Sequence, residues 1–194
     1  MPVELEAKMK LVDATDRDTI AQRLLTADAS PIGTFFERNL FFDTPARTLL
    51  AADSGLRLRI ADVEGAAQPM QVLTFKGPRQ AGQLKSREEV ELSVADATAA
   101  IALLNALGYR QYLMFEKRRR SWSVYPCRVE LDEIPHLGHF AEIEGPDEAA
   151  ILTVRHTLGL ADRPLIRQGY VGLLVDHLRQ RGQSTTEITF DRPE

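Results

Sequence analysis

Apolar and charged residues alternate without a break along residues 3–11. In an extended chain successive side chains face opposite ways. Leu5, Ala7, Met9 and Leu11 therefore share one face, and Glu4, Glu6, Lys8 and Lys10 the other. The same period of two returns over residues 56–60, 72–76, 85–94, 128–133 and 140–144, and residues 35–43 also read as a strand. Residues 109–124 are long enough for one long strand or two. Between these runs the period changes. Thr15 or Asp16 is placed to cap a helix reaching to residue 27, with Ile20, Leu24 and Leu25 as its apolar stripe. Residues 96–107 read as a helix with Ile101, Leu104 and Leu107 inward, stopped by Gly108. Residues 147–158, stopped by Gly159, and residues 170–180 read as two more helices.

Asp28 to Gly33 is rich in turn formers and reads as a loop, as do Asp53-Ser54-Gly55 and the segment from Asp62 to Pro69. About eight strands and about four helices result, with strands mostly in adjacent pairs, which favours an antiparallel sheet over a doubly wound one. No repeat or composition break divides the chain, so one domain is expected over residues 1–181. A polar tail follows over 182–194, with a composition that favours disorder.

The charged parity is where the pattern acquires chemistry. Arg57 and Arg59 share a face, as do Thr74 and Lys76. Lys85, Arg87, Glu89 and Glu91 share another, and Lys117 pairs with Arg119, Glu130 with Asp132, and Glu142 with Glu144. For any single strand the ordinary account is a half-buried sheet with one wet face and cross-strand ion pairs. Two features favour a different account. Arg fills half of the basic positions on this parity (Arg57, Arg59, Arg87 and Arg119), and its fork of donors suits phosphate oxygens. A sheet this wide also removes its edges by closing into a barrel. The apolar face then lies outside under the helices and the charged face inside. An interior of many cations and carboxylates is too costly to leave dry and unpaired. A divalent metal bound to a phosphate chain satisfies both signs at once.

Composition narrows the setting. The chain has 194 residues, 44% hydrophobic and 27% charged, with a net charge of −4. That balance offers no global attraction to nucleic acid or to an anionic membrane. Cys127 is the single cysteine, so intrachain disulfides and cysteine-rich zinc sites are excluded. No apolar run approaches the roughly 18 residues of a membrane span. The first residues lack a signal-peptide layout, and a reducing cytoplasm is the expected compartment. No Gly-x-x-x-x-Gly-Lys-[Ser/Thr] loop is present, which removes a P-loop phosphate site.

In order along the chain come Glu4-Leu5-Glu6-Ala7-Lys8, Leu56-Arg57-Leu58-Arg59, Thr74-Phe75-Lys76 and Ser86-Arg87-Glu88-Glu89-Val90-Glu91. Then come Glu116-Lys117-Arg118-Arg119, Leu131-Asp132-Glu133-Ile134 and Leu137-Gly138-His139-Phe140-Ala141-Glu142-Ile143-Glu144. A lone Glu-x-Glu-x-Lys is weak, but this ordered set is specific. It resembles the CYTH superfamily, the triphosphate tunnel metalloenzymes, from residue 3 to about residue 175. The segment from Leu131 to Glu144 is most similar to the class IV adenylyl cyclase branch. The resemblance implies an α+β protein built on an eight-stranded antiparallel closed β-barrel, a tunnel with a charged interior and helices packed outside.

The resemblance also implies roles. Glu4, Glu6, Glu142 and Glu144 would hold Mg²⁺ or Mn²⁺, with Asp132 as a further ligand or a contact to metal-bound water. Lys8, Arg57, Arg59, Lys76, Arg87, Lys117 and Arg119 would hold the triphosphate, and Lys8, Arg59 and Lys117 would act on the reacting group. Lys85 joins them if its strand reaches far enough. The roles of Glu89, Glu91 and Glu130 stay open. The substrate would be ATP, cyclised to cyclic AMP and pyrophosphate, or tripolyphosphate or thiamine triphosphate, hydrolysed. A non-catalytic polyphosphate- or nucleotide-binding module is the competing class. Its weakness is that a pure anion binder gains nothing from carboxylates beside its phosphates. No nucleic-acid or membrane partner is expected, and a homodimer stays open.

The remaining candidates have plainer readings. Arg118 and Arg120 fall on the parity opposite to Lys117 and Arg119, as solvated outer charges. His136 and His139 flank a turn and lack further soft ligands for zinc. His156 and His177 read as helix-surface residues. Cys127 has no activating base and reads as structural. Trp122 and the group Phe35, Phe36, Phe41 and Phe42 could stack on a base, but core or rim packing is their first reading.

Overall fold

The computed structural model describes residues 3–191. Eight strands close into an antiparallel barrel. They are β1 (Val3–Lys10), β2 (Ser30–Asp43), β3 (Gly55–Val63), β4 (Met70–Arg79), β5 (Lys85–Ser93), β6 (Arg110–Val124), β7 (Cys127–Ile134) and β8 (Gly138–Glu144). Around the barrel the order is β2-β3-β4-β5-β1-β8-β7-β6, and pairing of β2 with β6 closes the ring. The helices are α1 (Ala14–Thr26), a single turn α2 (Thr48–Ala51), α3 (Ala97–Ala106), α4 (Glu148–Thr157) and α5 (Tyr170–Gln180). No helix among the described residues is long and apolar enough to cross a membrane.

Local chemistry sets the helix ends. Asp13 caps α1 by accepting from the Asp16 amide at 2.9 Å, and Asp16 accepts in turn from the Val12 amide at 2.8 Å. The helix therefore begins earlier than a Thr15 or Asp16 cap would place it, because Asp16 is spent on this reciprocal bond. Asp96 and Asp147 cap α3 and α4. Gly108 and Gly159 follow those helices with φ of 91° and 67°, a left-handed conformation that strains a residue with a Cβ.

Two stretches differ from the expectations. β2 begins at Ser30, so the turn-forming residues up to Gly33 lie in strand. Their register against β6 shifts between Pro31 and Gly33, where the proline has no amide to give the ladder. At the C-terminal end, where a disordered tail was expected, a two-residue strand β9 (Glu187–Ile188) pairs in parallel with Met114 and Phe115 of β6. Ile188 is buried there, and the Phe190 amide donates to Glu116 at 2.8 Å.

Two apolar clusters lie outside the barrel wall, and a third lies on its inner parity. Met9, Leu11, Val129, Leu131 and Ile143 from the outer faces of β1, β7 and β8 meet Ile20 and Leu24 of α1 and Ile151 of α4. Phe140, Ile134 and Phe115, on the same parity as Glu142, Asp132 and Lys117, meet Tyr170, Leu174 and Leu178 of α5, so this helix packs against the inner face at one end of the barrel. Leu104 of α3 covers Phe42 and Leu58. The outer faces of β4 and β5 are barer: Phe75, Val90 and Leu92 are 37%, 44% and 61% exposed. With helices holding the apolar faces outward, the alternate parity has one direction left, into the barrel.

Candidate active site

A cavity of about 920 Å³ runs through the barrel. Its walls carry Glu4, Glu6, Lys8, Arg57, Arg59, Lys76, Arg87, Lys117, Arg119, Glu142 and Glu144, all expected on the charged parity, and Lys85 joins them. Register explains the gathering. On β1, Glu4 lies opposite Arg87, and Glu6 lies between Lys85 on β5 and Glu144 on β8. Lys8 lies opposite Glu142, and Glu142 opposite Glu130. Lys10, the last member of the opening alternation, leaves the tunnel. Its ammonium sits over the Phe140 ring at 4.3 Å and on the Leu137 carbonyl.

One side of the tunnel is densely bonded. Lys8 Nζ is 3.2 Å from Glu6 and 3.1 Å from Glu142. It lies 4.2 Å from the centre of the Tyr170 ring. Burial works against its charge, but Glu6 and Glu142 outweigh that and hold its pKa above the ordinary lysine value. Arg119 forks onto Asp132 at 2.7 and 2.6 Å, reaches Glu142 at 2.6 Å and also pairs with Glu130. Asp132 accepts further from Lys117 at 3.4 Å and from the Tyr170 hydroxyl at 3.0 Å. Lys117 completes the chain with Glu37 at 3.1 Å. Burial would raise the Glu37 carboxyl, yet Lys117 and Arg119 depress it to about 2.

The side formed by β3, β4 and β5 is looser. Arg57 and Arg59 approach Glu91 at 3.6 and 3.8 Å, and Arg87 approaches Asp53 at 3.9 Å. Arg57 donates to Thr74 at 3.2 Å, which donates to Glu91 at 3.0 Å. The Nε atoms of Arg57, Arg59 and Arg87 are buried without partners. Burial and the neighbouring Arg59 both lower the Arg57 pKa. Such cations, desolvated and set beside like charge, are completed by an anion that accepts from several of them.

The carboxylates between the two sides are in contact with lysines. Glu4 is 3.2 Å from Lys76, which also pairs with Glu89, and Glu6 is 2.5 Å from Lys85. Burial raises both Glu4 and Glu89. Lys76 then brings Glu4 down to about 2, whereas its bond to Glu4 leaves Glu89 up at about 7. Among the described residues, no three Asp, Glu, His or Cys side chains are arranged to hold a metal ion as they stand. A metal would therefore have to draw Glu4 and Glu6 away from Lys76 and Lys85. The donors themselves suit such an ion. Glu4, Glu6, Glu142 and Glu144 offer oxygen only, the ligand that Mg²⁺ and Mn²⁺ favour, and buried Glu6 Oε1 has only the Lys8 ammonium, at 3.2 Å, beside it. Asp132 differs from them. It is fully buried, enclosed by Arg119, Lys117 and Tyr170, and does not line the cavity.

Three buried residues at the site lay outside the sequence expectations: Glu37, Asn39 and Tyr170. The period of two in β2 put Glu37 and Asn39 on one face, but the phenylalanines around them drew attention to packing instead. For Tyr170, the first residue of an amphipathic helix, no local signal existed. The outer residues are as expected. Arg118 pairs with Glu133 and Arg120 with Asp18, and Cys127 is buried and free. His136 stacks on His177 with ring centres 5.8 Å apart.

The family model described as the CYTH domain matches residues 3–170. Adenylate cyclase CyaB of Aeromonas hydrophila is 32% identical over 157 residues, which cover 80% of this chain and 76% of that protein. Among solved structures, the PH1819 protein of Pyrococcus horikoshii is 25% identical, with a TM-score of 0.76 over 90% of this chain and 99% of that one. A Hippeastrum protein, studied as a candidate adenylyl cyclase and reported to show a dominant triphosphatase activity, superposes with a TM-score of 0.68. It is 21% identical, over 93% of this chain and 96% of that one, so this likeness speaks for the fold.

Proposed function

Because the chain belongs to the CYTH domain family, we propose that it is a metal-dependent enzyme that takes a small-molecule triphosphate into its tunnel and converts ATP to cyclic AMP and pyrophosphate. The observation that carries this reading is the set of three buried, unpartnered guanidinium Nε atoms of Arg57, Arg59 and Arg87, facing the same cavity as Glu4, Glu6, Glu142 and Glu144. Guanidinium Nε atoms without acceptors and carboxylates that offer oxygen alone are satisfied together by a metal-bound polyphosphate. An anion-binding module would be weakened by such carboxylates.

Glu4, Glu6, Glu142 and Glu144 would hold Mg²⁺ or Mn²⁺, which when bound neutralises phosphate oxygens and fixes their orientation. Arg57, Arg59, Lys76, Arg87 and Arg119 grip the phosphate chain. Lys8, Arg59 and Lys117 stabilise the charge that develops on the reacting phosphoryl group and on the leaving phosphates. Asp132 acts through Arg119 and Lys117, whose head groups it fixes in place. In cyclisation the ribose 3′-oxygen bonds to the α-phosphorus, its proton is lost, and the bond to pyrophosphate breaks. Hydrolysis of the terminal phosphate of tripolyphosphate or thiamine triphosphate is the second reading. It is favoured by the same phosphate grip and by the triphosphatase activity named for the Hippeastrum protein. The buried free thiol of Cys127 accords with a reducing cytoplasm.

One incubation series separates these readings. ATP, tripolyphosphate and thiamine triphosphate are supplied with Mg²⁺ or Mn²⁺, and cyclic AMP, pyrophosphate and orthophosphate are measured separately. Cyclic AMP with pyrophosphate from ATP is the expected result. Orthophosphate from tripolyphosphate without cyclic AMP replaces the cyclase with a hydrolase. Metal-independent binding with no product from any of the three reduces the protein to a binding module.

A further inference from the structure

Within a cavity dominated by donors and anion-binding cations, one buried neutral side chain carries an acceptor without a partner. Asn39, on β2, is 1% exposed and lines the cavity, and its Oδ1 has no hydrogen-bond partner. The orientation of its amide is decided by a neighbour. Asn39 Nδ2 donates to Glu37 Oε2 at 3.2 Å. Glu37 remains ionised because Lys117 and Arg119 face it, and an ionised carboxylate can only accept. The amide nitrogen must therefore face Glu37, which leaves Oδ1 to the other side. Phosphate oxygens cannot satisfy Oδ1, because they too are acceptors.

The surroundings of Asn39 are also unlike the rest of the tunnel. Phe41, two residues on along the same face, lies over Phe115 with ring centres 5.6 Å apart and planes inclined by 13°. Phe41, Phe115, Tyr112, Leu50 and Val171 line the same cavity and bring no charge to it. An apolar, partly aromatic wall beside an orphan acceptor fits a flat ring that carries an N–H or O–H group.

We infer that Asn39, backed by Phe41 and Phe115, is a specificity-determining residue that receives the organic part of the substrate, an aromatic group bearing a hydrogen-bond donor, and so distinguishes an organic triphosphate from inorganic tripolyphosphate. This inference rests on the triphosphate reading above. A nucleoside triphosphate and thiamine triphosphate share the chemistry that Asn39 selects, and the test tells them apart.

Calorimetric titrations in EDTA, which prevents metal-dependent turnover, give dissociation constants for tripolyphosphate, ATP and thiamine triphosphate. Asn39→Leu keeps the side-chain size and removes the acceptor. It is expected to weaken ATP or thiamine triphosphate about tenfold, the value of one well-made hydrogen bond, and tripolyphosphate by less than about twofold. The ligand that loses affinity identifies the source. Equal weakening of all three ligands, or no weakening of any, overturns the inference. The unmodified protein supplies a test that does not depend on the variant folding. ATP is compared with purine riboside triphosphate and with 2′,3′-dideoxyadenosine triphosphate, and thiamine triphosphate with its desamino form. At least one deleted donor is expected to cost about tenfold, and equal affinity of every parent and its deleted form overturns the inference. Binding of tripolyphosphate alone overturns it while leaving the triphosphate reading in place. Failure of all the ligands to bind in EDTA and again with Mg²⁺ removes that reading, and the inference with it.

Discussion

On the wall made by β1, β8, β7 and β6, Lys8, Lys117 and Arg119 are held by several carboxylates each, and the Tyr170 hydroxyl adds a bond to Asp132. On the wall made by β3, β4 and β5, Arg57, Arg59 and Arg87 meet carboxylates only at 3.6 to 3.9 Å and keep unpartnered Nε atoms. The difference follows from what packs against each wall. Helices α1 and α4 cover the first wall from outside and α5 packs on its inner parity, so its charges are deeply buried and must be paired. The outer face of β4 and β5 is partly bare, and the cations within are more exposed, with 10–18% of their side chains accessible against 1–9% for Lys8, Lys117 and Arg119. Charges of the same chemical type therefore carry different loads: those of the first wall also hold the barrel together, whereas the arginines of the second keep donors free for a ligand.

The comparison is most severely strained by Asp132→Ala. This leaves Arg119 and Lys117 buried and short of partners, and urea unfolding should show a loss of about 3–5 kcal/mol, the range for breaking a buried charge pair. A loss below about 1 kcal/mol would mean that the first wall is not braced as described.

Next in size is a pH effect on the same wall. The Glu37 carboxyl is held at about 2 when folded, below its ordinary 4.5. Ionised Glu37 therefore stabilises the fold fully above pH 4.5, and this contribution disappears as pH falls toward 2. Its full size is roughly 3 kcal/mol. Glu37→Gln should flatten that part of the stability–pH curve, and an unchanged slope between pH 4.5 and 2 would remove Glu37 from the brace.

The second wall is tested by Arg59→Ala. Stability should change by no more than about 0.5 kcal/mol, because a like charge beside Arg57 goes with it. Triphosphate affinity should fall by about 1.5–3 kcal/mol, the value of a hydrogen bond to a charged group. A large stability loss with unchanged affinity would reverse the roles of the two walls. The smallest effect is expected outside the tunnel. Phe75→Ser, on the bare outer face of β4, should leave triphosphate affinity unchanged and shift stability by about 1 kcal/mol or less.

Much of the barrel was legible because its determinants are local and repeat. A period of two with charge on one parity recurs in strand after strand, and its recurrence, rather than any one run, turned the face inward. The helix stops at Gly108 and Gly159 were legible for the same reason, since a left-handed residue is a local requirement. What was hidden is tertiary. Nothing near Asp132 shows that Tyr170 will reach it from 38 residues away. Nothing in the charge pattern separates a carboxylate that meets an arginine fork from one that waits beside a lysine. The early start of β2 was concealed by Pro31 and Gly33, which form turns elsewhere and here lie at a register shift. The polar tail concealed β9, because Ile188 and Phe190 are too few to make a pattern by themselves.

That short strand has a consequence for the behaviour of the chain in a crowd. β6 is paired with β2 along nearly its whole length, but β7 meets it only from Arg118 to Val124. Along the earlier half of β6, β9 takes the place of a neighbouring strand at Met114 and Phe115, and the Met114 amide donates to the Thr186 carbonyl at 2.8 Å. The segment from Thr186 to Ile188 thus acts as a guard on a stretch where the ring of hydrogen bonds lacks a full partner. A chain ending before Thr186 would present that apolar edge to other chains, and the first sign of the loss would be self-association between barrels rather than a change in the tunnel.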